Sequence, residues 1–274
     1  MSLNRPIWKL RDWIELKKLD WYWLSENPNA IHLLENNQDK IYWLLLSENT
    51  NAIELLKKNQ DKINWSYLSL NPNAIELLKK NQDKIDWFFL SFNPNAIELL
   101  KKNRDKINWR NLSSNPNAIK LLEENQDKIY WCQLSKNPNA IKLLKENREK
   151  IHWGFLAANP NAIQLIENEK NPDKINWFLL SENPNAIHLL ENNQDKIIWR
   201  ILSENPNAIE LLKKNQDKIW WNKFSSNPAI FELDYEAMKK NNQDMYEELI
   251  KEVMKPSRVF KNPDYDYIEE LFGD

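Results

Sequence analysis

Three histidines, one cysteine and two glycines are the chain's whole stock of the residues around which catalysis, metal binding or phosphate binding is most often built. His32 and His188 fall at the same position of a repeated phrase, seven units apart along the chain. At about 8 to 10 Å per packed helical layer they are too distant to share a proton or a metal in an extended array. Cys132 and His152 come closer in register, but a thiol and an imidazole need a third group to orient the base, and none accompanies them. Gly154 and Gly273 cannot form the glycine-rich turn that lets backbone approach a phosphate. No pair of Cys or His has zinc spacing. These residues predict no enzyme, no cofactor and no metal.

The elements that would carry any function are set by repetition. Tryptophan recurs at Trp21, Trp43, Trp65, Trp87, Trp109, Trp131 and Trp153, then at Trp177, Trp199 and Trp221, a step of 22 residues broken once by a step of 24. A period of this size marks a stacked repeat architecture. In the unit around Asn71, the Asn-Pro pair Asn71-Pro72 is a helix start, with a capping side chain followed by a residue suited to the first helical position. Ala74, Ile75, Leu77 and Leu78 then form one apolar stripe, with Glu76, Lys79 and Lys80 opposite. Asn81 stands where a left-handed C-terminal cap is expected. After Gln82-Asp83-Lys84, the cluster Ile85, Trp87 and Leu90 predicts a second helix, short enough to be a 3₁₀ turn. Asp20, Asn64, Asp86, Asn108 and Asn176 can cap it from the position before each Trp.

One such unit cannot cover its own apolar side chains, each worth about 1.5 to 3 kcal/mol when buried, so neighbouring units must do so. The expected fold is therefore all-α, a solenoid of two-short-helix repeats forming an open rod or coil, with the Trp ladder in its core. Residues 1–19 should cap its N-terminal end as a helix begun near Pro6. Residues 20–228 hold nine full units and a truncated tenth, and residues 229–274 a C-terminal capping helix and a tail. Asn49-Thr50 replaces Asn-Pro in the second unit, and the seventh carries two extra residues in a surface loop near Glu167 to Pro172.

With 38 basic and 40 acidic residues the net charge of −2 gives no overall attraction for nucleic acid or anionic lipid. The pairs Lys57-Lys58, Lys79-Lys80 and Lys101-Lys102 read as a solvated ridge. A lone Cys132 suits a reducing, intracellular setting. Neither a leader pattern nor an apolar run of membrane-spanning length is present.

Packing fixes the recurring positions, so the varying ones carry the individuality of the chain. They are the residues before and after each Trp and the residue before each Asn-Pro. Tyr67, Leu70, Phe88 and Phe92 would make an apolar centre there, with Arg110, Tyr130, Phe178 and Arg200 as further contact residues.

The Asn-Pro-Asn-Ala-Ile phrase with Asp-Lys-Ile and Trp, the variant Asn227-Pro228-Ala229-Ile230-Phe231-Glu232-Leu233-Asp234-Tyr235, and the later Pro256-Ser257-Arg258 resemble short-repeat proteins of giant viruses of amoebae. More loosely, Leu-Ser-x-Asn-Pro-Asn with paired Leu is similar to leucine-rich variant repeats. The first resemblance implies a viral protein in host cytoplasm or virion, with no assigned activity. The expected function is a non-catalytic scaffold that binds a host or viral protein through the variable face. Single-stranded RNA binding, one nucleotide per repeat, is the alternative that the acidic balance disfavours. End-to-end self-association of an incompletely capped array is the other.

Overall fold

The computed structural model describes residues 6–168 and 174–253, and its chain contacts divide it into two units, Leu10–Phe231 and Met1–Lys9 with Glu232–Asp274. The larger unit is the all-α repeat solenoid. Its third repeat runs through an α-helix Trp65–Leu70, a 3₁₀ turn Pro72–Ala74 continuing into the α-helix Ile75–Lys80, and a 3₁₀ turn Gln82–Lys84 before the next helix Trp87–Leu90. The capping expectations hold locally. Asn71 Oδ1 accepts from Asn73 N at 2.9 Å, and Asp86 Oδ1 accepts from Phe88 N at 3.1 Å. The second helix is α-helical, and the 3₁₀ geometry lies instead in the Pro-Asn-Ala turn and the Gln-Asp-Lys linker.

Asn81 is not left-handed: its φ is −131° and its ψ 53°, and its side chain caps the helix by donating to Leu77 O at 2.9 Å. The amide thus satisfies a free carbonyl directly, so no positive φ is needed.

Neighbouring repeats are joined by two recurring side-chain links, one from an asparagine and one from a serine. Asn49 Nδ2 donates to the carbonyls of Ser25 (3.0 Å) and Asn27 (2.9 Å) of the preceding repeat, while Asn49 Oδ1 accepts from Asn51 N (3.0 Å). This asparagine is buried in every repeat, from Asn27 to Asn227. Thr50 in place of Pro leaves the ladder intact, because the bonds come from the asparagine. Ser25 Oγ donates to Trp21 O (2.8 Å) and accepts from Tyr42 N of the next repeat (3.0 Å). Ala157 is the one described substitution of that serine.

A further recurring contact, this one within each repeat, corrects the expected Trp core. The repeat tryptophans are half-buried rather than interior. Each is covered by the Lys that closes the Gln-Asp-Lys turn, as with Lys40 at 4.6 Å over Trp21 and Lys84 at 4.5 Å over Trp65. The ammonium meets the negative ring face and its alkyl stem shields the ring from water. The core proper consists of Leu24, Ala30 and Leu34 and their equivalents, all buried.

The array does not end as an open coil. Repeat ten stacks on repeat one with the same two links, and its own Trp is covered as in every other repeat. Asn27 Nδ2 donates to Ser225 O (3.0 Å) and Asn227 O (2.9 Å), Asp20 N donates to Ser225 Oγ (2.8 Å), and Lys18 lies 4.9 Å over Trp221. Residues 10–231 are a closed ring of ten repeats, and no end face of the array is left for another copy to extend. Its tenth repeat is composite. Leu16–Lys18 supplies the 3₁₀ turn that Gln-Asp-Lys supplies elsewhere, and Leu19 is buried where Ile41 is buried. Trp13 packs on Phe224 at 5.8 Å, and Arg11 donates to Ala229 O at 2.7 Å.

The helix expected from Pro6 is thus replaced by β1 (Trp8–Leu10), which pairs with β2 (Phe231–Leu233). The pattern of half-buried Trp8 and Leu10 around exposed Lys9 is the two-residue period of a strand, which a helical reading of the same apolar residues overlooks. In the smaller unit Asp234 N donates to Ile7 O (2.8 Å), Lys9 pairs with Glu232 (3.6 Å), and the expected C-terminal helix spans Tyr235–Val253. The tail from Pro256 and the two inserted residues' loop between 169 and 173 lie outside the described residues.

Candidate functional site

In a closed ring the spacing between repeats is smallest on the inner wall. The tightest contacts between neighbours run between Trp helices and between Asn-Pro turns. Those elements form the inner wall, and the helices beginning with Ile31, Ile53 and Ile75 form the outer one. On each Trp helix the residue after Trp and the residue before Asn-Pro are four apart, as Phe88 and Phe92 are, and so share the face turned away from buried Leu90. Away from the core on an inner wall means toward the lumen. The varying positions of the sequence are therefore the lining of one hole.

Within residues 20–228 every exposed large apolar side chain belongs to the two positions flanking the Trp. Tyr42, Tyr130, Ile198 and Trp220 precede it, and Tyr22, Leu44, Phe88 and Phe178 follow it. Phe88, Tyr130, Phe178 and Trp220 are each half exposed, at 51%, 50%, 50% and 53%. Outer helices carry ordinary solvated pairs instead, such as Lys79 with Glu76 at 2.7 Å, whose hydrogen bond holds the Glu76 carboxyl below its usual range. Apolar exposure confined to one annulus is the mark of a surface that something covers.

The residues predicted as contacts fall on this wall in three tiers. Phe88, Arg110, Phe178 and Arg200 follow the Trp and are exposed, and Tyr130 precedes it. Leu70 and Phe92 precede Asn-Pro and are half-buried, as is Tyr67. Phe89 joins the apolar centre: Phe88 meets Phe89 at 5.3 Å and Phe92 at 6.3 Å, and Tyr67 meets Phe89 at 6.0 Å. Arg200 lies 5.5 Å over Trp220 in the following repeat.

Closure adds a group that the linear sequence keeps apart. Glu182, Glu204, Glu26 and Glu48 occupy the position before Asn-Pro in repeats eight, nine, one and two, with Ser226 between them in repeat ten. Lys223 is the cation among them, 2.6 Å from Glu204 and 3.6 Å over the Trp23 ring. Burial, then the charge of Glu204, raises the Glu26 carboxyl, with Lys223 opposing. Burial, then the charge of Glu26, raises Glu48 to about 7. Glu26 is thus within electrostatic reach of Glu48 on one side and of Glu204 on the other, across the chain's two ends. The signal available in the sequence was the recurrence of Glu at one position, which only a ring makes into a cluster.

The nucleophile and metal candidates are accounted for structurally. His152 Nδ1 accepts from Phe155 N at 3.2 Å as a helix cap, and its ring lies 4.6 Å from Phe155. His188 pairs with Glu167 of the preceding repeat at 2.8 Å, and both are exposed. Among the described residues no group of three or more His, Cys, Asp or Glu is arranged to hold a metal ion, and none of their helices is long and apolar enough to cross a membrane. Set against protein-family models, curated proteins and solved structures, the chain matches none.

Proposed function

We propose that this protein is a non-catalytic ring scaffold that binds a protein partner on its inner wall. The observation that carries the reading is the confinement of all large exposed apolar side chains of the repeats to the positions flanking the Trp. Burying a half-exposed Phe or Trp against a partner gains about 1 kcal/mol or more each, and such aromatic anchors dominate protein interfaces. The viral resemblance of the repeat phrase makes a host or viral protein inside an infected cell the natural partner. The carboxylates of Glu26, Glu48, Glu182 and Glu204 oppose a polyanion, which weighs against RNA in the same place.

The test is capture from host and infected-cell lysates with the wild-type ring and with a Phe88→Asp, Phe178→Asp double variant. Loss of a discrete protein band in the variant, with circular dichroism unchanged, supports the reading. Equal recovery by both proteins sinks it.

A further inference from the structure

At each junction between consecutive repeats the chain itself crosses from one repeat to the next, as from Ile63 to Asn64. Parting two such repeats leaves a peptide bridge over the gap, and the hole stays enclosed. The closing junction differs. Repeat one is joined by peptide to residues 10–19, which complete repeat ten, but those residues meet the body of repeat ten through non-covalent contacts alone. Lifting them is the one way to open the ring without cutting a peptide bond.

The segment that spans this seam is lightly tied. Nine repeats carry an outer helix that begins with isoleucine, from Ile31 to Ile209, whereas in repeat ten Pro228–Ile230 leads into β2 and that helix is missing. Residues 10–19 stand in its place with only the 3₁₀ turn Leu16–Lys18. Arg11 ties them to repeat ten, its N donating to Ile230 O at 3.1 Å and its Nε to Ala229 O at 2.7 Å. From Asp12 to Leu19 the described backbone bonds are internal: Ile14 N to Arg11 O, Lys18 N to Glu15 O and Leu19 N to Leu16 O. Lys17 and Lys18 likewise pair with Glu15 of the same segment. Packing holds this stretch, through buried Ile14 and Leu19, Trp13 on Phe224 and Lys18 over Trp221. On the inner wall Lys223 of repeat ten reaches Glu204 of repeat nine at 2.6 Å and lies 3.6 Å over Trp23 of repeat one, a second latch across the same seam.

We propose that residues 8–19 are a strap that lifts from repeat ten and parts it from repeat one, opening the lumen to the side. The closed ring is the ground state, and the open form is a sub-global excursion confined to this seam. A chain with no free end then reaches the inner wall without threading. The device stands whether or not the inner wall takes a protein partner.

The test is hydrogen exchange of the free full chain, read residue by residue by nuclear magnetic resonance. Asp20 N and Ile230 N at the seam are compared with their equivalents at ordinary positions, Tyr130 N and Ala118 N, which make the same bonds. The seam amides should show protection factors at least about tenfold lower. Lys9 and Glu232 face each other across β1 and β2, between the bond of Arg11 N to Ile230 O and that of Asp234 N to Ile7 O. A Lys9→Cys, Glu232→Cys disulfide in a Cys132→Ser background therefore locks the strap down. Oxidation should raise Asp20 and Ile230 to the protection of Tyr130 and Ala118, and reduction should reverse it. Trp13→Ala should lower the seam amides by about a further tenfold while leaving Tyr130 and Ala118 unchanged. Equal protection at the seam and at the ordinary positions of the wild-type ring, or a lock that leaves Asp20 and Ile230 unchanged, overturns the strap.

Discussion

The side-chain amide of Asn27 donates to the backbone carbonyl of Asn227 at 2.9 Å, across 200 residues of chain. The same bond joins Asn49 to Asn27 at 2.9 Å across 22 residues. In this bond the junction between the chain's ends matches a junction between consecutive repeats. Residues 10–19 complete the last repeat as well as precede the first, so the chain's own N-terminal segment spans the closing junction. This arrangement pairs the two repeat faces that an open array leaves exposed.

Removing one rung should be costly. Asn71→Ala deletes two donors to Ser47 O and Asn49 O and the acceptor for Asn73 N, leaving buried carbonyls without partners. A loss of about 3 to 5 kcal/mol is expected in urea unfolding. Asn73→Ala, which removes only an exposed bond to Thr50 O, should cost about 1 kcal/mol or less. Similar losses for the two would contradict the ladder as the main link between repeats.

The gap in the serine ladder should be repairable. Ala157 is buried at the position of Ser135 and Ser181, and serine there can donate to Trp153 O and accept from Asn176 N as its equivalents do in other repeats. Ala157→Ser should therefore raise stability by about 0.5 to 1.5 kcal/mol. An unchanged or lowered melting temperature would show that the seventh junction has relaxed around alanine.

Lysines over the tryptophans should matter equally at the closure and elsewhere. Lys18→Gln uncovers Trp221, and Lys84→Gln uncovers Trp65. Each should cost about 0.5 to 1 kcal/mol. A red shift of tryptophan emission should accompany each loss, and its absence in the Lys18 variant alone would argue against an intact closing junction.

Glu48 gives the fold a pH dependence of known sign. Its carboxyl is raised from 4.5 to about 7, so the folded chain holds that proton more tightly than the unfolded chain does. The ionised group destabilises the fold above about pH 7, and the penalty fades as pH falls toward 4.5, below which both states are protonated. Glu48→Gln should stabilise the protein by about 1 kcal/mol at pH 8, after discounting for solvent screening, and by nothing at pH 4. Unfolding curves at the two pH values that shift equally would contradict this origin.

Much of the repeat was legible because its signals are local. Asn71 and Pro72 start a helix, Leu78 and Leu90 face inward, and Asp86 caps a helix whatever the rest of the chain does. The varying positions were legible for a related reason, since exposed Phe88 and Phe178 have no place in a core. The curvature was not, because a small rotation per repeat leaves no mark on residue types, and ten such rotations decide between coil and ring. Lys18 and Leu19 did carry a trace of closure: they repeat the Lys-Ile that precedes every later Trp unit, one phrase before the first. The glutamate cluster followed only from closure, since ring order alone brings Glu26 and Glu204 to either side of Ser226.

Spin labels at Tyr22→Cys and Asn222→Cys, in a Cys132→Ser background, test closure most directly by pulsed electron resonance. Both positions follow the Trp, in repeats one and ten. The ring predicts a short distance matching that of the adjacent-repeat control Tyr22→Cys with Leu44→Cys. An open array of nine steps at about 8 to 10 Å each would place the labels on the order of 70 to 90 Å apart, and that result would contradict the ring.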